Sequence, residues 1–194
     1  MRIASIVINA VIFAVTAILV ARCFRKDGRW RLSSGLKAFR YFTVLSNAFS
    51  GLAALAMLVS QLKGGPSPAA LLFKHLGTVS VTVTLLTVLF FLGPTQGWRT
   101  QLTGRNLFMH LIGPLLAIVS YCCLEKRPMG FGTALLGVVP VLAYGLVYLY
   151  KVVFAPEAAR WEDFYGFNRG GRWPVMFGAM VLGAAIVSLV LWLI

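Results

Sequence analysis

Acidic residues are almost missing from this chain. Asp and Glu number 5 in 194 residues, and they are Asp27, Glu125, Glu157, Glu162 and Asp163. By sequence all of them fall between the long apolar runs. Proton- and sodium-coupled transport relays usually need carboxylates at membrane depth, so that class is disfavoured. Charged residues of both signs make up only 12% of the chain, too few to cover a water-facing surface. The 3 cysteines, Cys23, Cys122 and Cys123, form no metal-ligand spacing and read as small apolar residues. The 2 histidines, His75 and His110, are expected to enter from opposite faces of a membrane, which disfavours a shared heme. No metal or organic cofactor is implied, because no ligand cluster exists. The chain also lacks an internal repeat and any loop long enough for a soluble domain. The first apolar stretch is followed by Ala21-Arg22-Cys23-Phe24-Arg25, not by a small-residue cleavage site, so it reads as a membrane helix.

What is abundant is apolar. Hydrophobic residues make up 59% of the chain, and mean hydropathy is +0.85. A membrane helix needs roughly 20 apolar residues at about 1.5 Å rise each. Segments at about 3–22, 39–62, 69–92, 107–124, 131–154 and 174–194 qualify, which predicts an all-α, six-helix polytopic membrane bundle forming one transmembrane domain over 1–194. Lys63 to Pro68 and Glu125 to Gly130 read as tight loops, and Gly93-Pro94 as the end of the third segment. Trp30, Trp98, Trp161, Trp173 and Trp192 sit at or beyond segment ends, where an aromatic belt belongs. The net charge of +13 is spread over short loops, which is not the pattern of a nucleic-acid groove. Of 18 Lys and Arg, 13 flank the first, third and fifth loops. Those loops are expected in the cytoplasm against anionic headgroups, with both termini outside.

Polar residues inside the apolar runs are the functional candidates, because each must find a partner in lipid. The Ser and Thr residues of the third segment, Thr78, Ser80, Thr82, Thr84 and Thr87, are expected to bond their own backbone or to aid close packing. Asn9 and Ser120 read as interhelical contacts, and His75, beside Lys74, as an interfacial residue. Tyr144 and Tyr148, one turn apart, read as apolar rings with satisfied hydroxyls or as the lining of a pocket. The run Phe39 to Asn47 opens the second segment and places Thr43 and Asn47 one turn apart on one face. Thr43 follows Arg40 by about 4.5 Å of helix rise and His110 follows Arg105 by about 7.5 Å, both from the face of the odd loops. A hydroxyl and an imidazole can therefore reach similar depth. Together they are the minimum for nucleophilic acyl transfer, with the imidazole as general base. The base is then oriented by nothing, by a loop acid such as Asp163, or by an amide such as Asn47 or Asn106. A structural threonine and a hydrogen-bonded core histidine remain the alternative. The last loop, Ala159 to Pro174, lies at the same face and includes Asp163, Tyr165 and Asn168. It reads as an interfacial belt, or as a lid or headgroup contact.

The run Tyr41-Phe42-Thr43 followed by Ser46-Asn47, with Met109-His110 and Pro114 in the fourth segment, resembles the androgen-induced and androgen-dependent transmembrane hydrolases. It is most similar to the bacterial six-helix integral membrane proteins grouped with them. The resemblance spans the second to sixth segments. It implies a threonine hydrolase of fatty acid esters of hydroxy fatty acids in a bacterial cytoplasmic membrane. Thr43 matches the motif threonine and His110 the motif histidine. Tyr41, Asn47, Asn106, Asp163, Tyr165 and Asn168 are the expected supporting or substrate-binding residues. The substrate would be a lipid or fatty acyl ester arriving from the bilayer. The rival expectations are a non-catalytic lipid-binding or small-molecule transport protein, and a structural or regulatory subunit.

Overall fold

The computed structural model describes residues 1–125 and 128–194. The basic pair Lys126 and Arg127, expected in the fourth loop, lies outside the described residues. Six helices are long and apolar enough to cross a membrane: α1 Arg2–Cys23, α2 Phe42–Leu62, α3 Pro68–Gln96, α4 Arg105–Glu125, α5 Phe131–Phe154 and α6 Trp173–Leu193. The chain is a multi-pass, all-α membrane protein. Helices are the expected outcome, since a segment in hydrocarbon must satisfy its own backbone.

α3 is the central element and packs against α2, α4, α5 and α6. Small residues let it approach α2 closely. A Cβ on Gly77 would lie 3.1 Å from the Ser50 backbone and 3.1 Å from Ala53 Cβ. Four of its five expected hydroxyls bond their own backbone, and Thr78 Oγ1, buried without a hydrogen-bond partner among the described residues, does not. Ser80, Thr82, Thr84 and Thr87 each donate to the carbonyl four residues earlier. Close crossings with satisfied hydroxyls are how helices associate where lipid removes the hydrophobic drive.

Two boundaries differ from expectation by three residues or more. α2 begins at Phe42, not at 39, because Tyr41 is extended and serves as its N-cap. α3 runs on through Gly93-Pro94 to Gln96 and stops at Gly97, whose φ of 91° favours glycine. Proline is tolerated there because a π turn, Val88–Leu92, precedes it, and Gly93 N–H donates to Val88 O five residues back. α4 repeats the device. A π turn over Phe108–Ile112 precedes Gly113-Pro114, and Gly113 N–H donates to Phe108 O. A wide turn removes the clash between the proline ring and the carbonyl it would otherwise meet.

The loop between α1 and α2 holds a two-residue-strand hairpin, Arg25–Lys26 with Arg29–Trp30, and a short helix, Leu32–Ala38. The hairpin turns at Asp27-Gly28, both at positive φ. The loop between α5 and α6 is pinned to the same end of the bundle. Asp163 accepts from Phe167 N–H at 2.7 Å, Asn168 N–H at 2.8 Å and Tyr148 Oη–H at 3.1 Å.

Candidate functional site

α4 carries His110 on its first π turn, buried at 5% exposure. The ring bridges two elements. Nδ1 lies 2.8 Å from the carbonyl oxygen of Gln101, and Nε2 lies 3.3 Å from Thr43 Oγ1 at the start of α2. Gln101 ends a one-turn helix, Trp98–Gln101, so its carbonyl belongs to the group left without a helical partner. A carbonyl only accepts, which assigns the ring proton to Nδ1. Nε2 then presents its lone pair to the threonine hydroxyl. This is the tautomer that a general base for Thr43 requires.

Asn47 holds the two helices together. Its Nδ2 donates to Thr43 O at 2.8 Å and to Met109 O at 2.9 Å. The π turn and Pro114 explain why Met109 O needs that bond. Gly113 N–H is given to Phe108 O, and Pro114 has no N–H to offer. The Asn47 amide therefore supplies a donor that the helix lacks, and fixes Thr43 beside His110. With both amide hydrogens committed, Asn47 neither orients the imidazole nor serves an oxyanion.

Tyr165 caps α2. Its hydroxyl accepts from Phe42 N–H at 3.0 Å, and the capping residue Tyr41 gives no side-chain bond. Burial pushes the Tyr165 phenol up from its ordinary value, so it keeps its proton at neutral pH. Tyr144 and Tyr148 fit both of their expected roles. Their hydroxyls donate to Arg40 O at 2.8 Å and to Asp163 Oδ1 at 3.1 Å. Their rings also line a chamber of about 510 Å³, together with Thr43, Phe167, Val88 and Met180. Thr43 thus has the imidazole on one side and an apolar chamber on the other.

The remaining candidates lie apart. Asn106 donates to Thr100 O at 3.1 Å in an exposed bond, so it is engaged away from His110. Asn106 precedes His110 by four residues, a spacing that shares a face in a regular α-helix, but a π turn begins between the two. Asp163 and Asn168 organise the last loop, Asn168 through its backbone N–H. Tyr41 packs against Phe164 with ring centroids 4.3 Å apart and the planes tilted by 33°. The group that orients His110 is a backbone carbonyl, which no residue type advertises.

The opposite end of the bundle overturns two expectations. Glu125 is fully buried and closes α4 from within. Its Oε1 accepts from Ser5 Oγ at 2.7 Å, from Ser120 Oγ at 2.6 Å and from Asn9 Nδ2. Lys74 Nζ lies 3.6 Å from its Oε2 and donates to Asn9 Oδ1 at 2.6 Å. The acid expected in a loop is inside because a second π turn, Ser120–Glu125, brings residues five apart to one face. His75, expected at the interface, is also fully buried, with Nε2 2.9 Å from Ala134 O and 3.0 Å from Ser188 Oγ. Among the described residues no three His, Cys, Asp or Glu side chains are grouped to hold a metal.

No protein-family model, no curated protein and no solved structure matches the chain. What the site can do follows from its own geometry. A threonine hydroxyl faces an imidazole of fixed tautomer, at the wall of an apolar chamber, in a protein that crosses a membrane.

Proposed function

We propose that this protein is an intramembrane threonine hydrolase of lipid esters. The observation that carries the reading is the relay from Gln101 O through the His110 ring to Thr43 Oγ1, with the hydroxyl opening onto the apolar chamber. The resemblance to the androgen-induced and androgen-dependent hydrolases points the same way, and suggests fatty acid esters of hydroxy fatty acids as substrates. The bias of basic residues supports an orientation with the site near the cytoplasmic face and both termini outside.

In this reading Thr43 Oγ attacks the ester carbonyl while His110 Nε2 takes the hydroxyl proton. The tetrahedral oxyanion forms near the N-terminus of α2, where the helix dipole favours negative charge. His110 then protonates the departing alkoxide, leaving an acyl-threonine. Water attacks that ester with His110 again as base, and the free acid leaves. The bond from Nδ1 to Gln101 O holds the ring in position through both halves, in place of a carboxylate. Burial of His110 keeps bulk water from competing for the lone pair.

The test is labelling of the full-length protein in detergent with an alkyl fluorophosphonate. Labelling of the wild type and its loss in Thr43→Ala are expected. An unlabelled but folded wild type would favour the alternative, a lipid-binding or small-molecule transport protein. One observation favours that alternative: a carbonyl, not a carboxylate, orients the imidazole, which gives less support to a developing imidazolium.

A further inference from the structure

A second pocket of about 380 Å³ lies on the other side of Tyr41 from the apolar chamber. Arg22, Arg25, Lys37, Arg40 and Arg105 line it against one carboxylate, Glu162. They come from the end of α1, the hairpin, the short helix Leu32–Ala38, the approach to α2 and the start of α4. Among the described residues the ion pairs are Arg31 with Asp27 and Lys74 with Glu125, so none of these five cations is neutralised. Arg40 and Arg25 instead lie over the rings of Trp161 and Trp30, 5.5 and 5.7 Å from the ring centres. Like charges gathered in a concave surface repel one another and focus a positive potential, which an anion relieves.

The two pockets share a wall. Arg40 and Tyr41 line the basic one, while Phe42 and Thr43 line the apolar one. Phe164 and Tyr165 divide in the same way. The packed rings of Tyr41 and Phe164 therefore separate a place for charge from a place for hydrocarbon, with Thr43 next to the boundary. One bidentate arginine satisfies a carboxylate, whereas several cations converging on one site suit a phosphate, with its higher charge and extra oxygens.

We propose that the basic pocket binds the phosphate headgroup of a single-chain amphiphile whose tail lies in the apolar chamber. The inference rests on the reading of that chamber as the substrate site, and names the head that accompanies the tail. The test is calorimetric titration of dodecyl phosphate into the full-length protein in uncharged dodecyl maltoside micelles. Saturable binding to the wild type is expected, weakened at least about a hundredfold in Lys37→Gln/Arg105→Gln, since the two charge-assisted contacts contribute about 1.5–3 kcal/mol each and 1.4 kcal/mol is tenfold. Lys63→Gln, which removes a charge at the far end of the bundle, should bind as the wild type does. Inorganic phosphate and dodecanoate should each bind at least about tenfold more weakly than dodecyl phosphate. Equal binding by the double variant and the wild type, or equal weakening by Lys63→Gln, would overturn the pocket. Inorganic phosphate binding as tightly would overturn the link to the tail, and dodecanoate binding as tightly would overturn the phosphate preference. This binding is read without turnover, whereas the hydrolase reading is tested by fluorophosphonate labelling, so failure of the one and failure of the other are read separately.

Discussion

The two ends of α4 hold two polar centres built with the same device to different ends. Each sits on a π turn, Phe108–Ile112 at one end and Ser120–Glu125 at the other. At the Glu125 end, one carboxylate oxygen accepts from three side chains, and the other faces Lys74. That centre joins α1, α3 and α4. At the His110 end, the imidazole has one partner on each nitrogen, and its hydroxyl partner lines a chamber. The difference is availability. A buried charge is tolerable when it is paired and surrounded by donors, and this set is walled off, with Glu125 and Lys74 almost fully buried. A neutral dyad needs less support, so Thr43 keeps one side open.

On the proposed mechanism, removing the His110 imidazole should give the largest effect. His110→Gln is expected to lower ester hydrolysis roughly 10²- to 10⁴-fold, the usual contribution of a general base. The measurement is turnover of a p-nitrophenyl acyl ester by purified protein in micelles. An unchanged rate would remove the distinction between the two ends, because the His110 centre would then be structural as well.

Glu125→Ala probes the other side of the comparison. Stripping the partner from buried Lys74 should cost about 3–5 kcal/mol of stability, while turnover per folded molecule stays near the wild-type value. Thermal unfolding in detergent and active-site titration together check both parts. Lys74→Met/Glu125→Leu should recover much of the loss, since replacing a buried pair with apolar groups is often neutral or better. Loss of turnover in Glu125→Ala protein that remains folded would mean that the ends communicate through α4.

The sequence made one of these centres legible and hid the other. Runs of about twenty apolar residues announce helices directly, because hydrocarbon leaves the backbone no other solution. Thr43 and His110 could be paired by counting residues from Arg40 and Arg105, since both helices enter from one face. The Glu125 centre was hidden by its position at the edge of an apolar run, where an acid reads as loop. Only the π turn carries it inside, and no residue in Ser120-Tyr121-Cys122-Cys123-Leu124-Glu125 signals such a turn. Gly113-Pro114 does carry a signal, because a proline within an apolar helix requires some distortion before it. The Gln101 carbonyl could not be read, since a backbone atom has no sequence identity.

Asn47→Ala gives a smaller and more discriminating effect. The substitution removes the donor for Met109 O and loosens α2 against α4. Interhelical hydrogen bonds in membranes average about 0.6 kcal/mol, so a stability loss of about 1 kcal/mol is expected for the two. Turnover should fall further than stability, because small displacements of reacting groups are costly to rate. Equal losses in both would make Asn47 an ordinary packing residue. A drop in turnover with little change in melting would mark it as the residue that sets the 3.3 Å contact.

Asn106→Ala should have the smallest effect, and its value lies in that. α-Helical spacing places Asn106 under His110, one turn earlier. The π turn breaks the alignment and leaves the amide on Thr100 O in an exposed bond. Exposed substitutions of this kind usually stay within about 0.5 kcal/mol. Neither melting nor turnover should move beyond that range. A hundredfold fall in turnover with unchanged melting would mean that the amide reaches the imidazole, and that the π turn is straightened in the working enzyme. The availability of Thr43 would then arise from a register the protein adopts only with substrate, and not from a fixed difference between the two ends of α4.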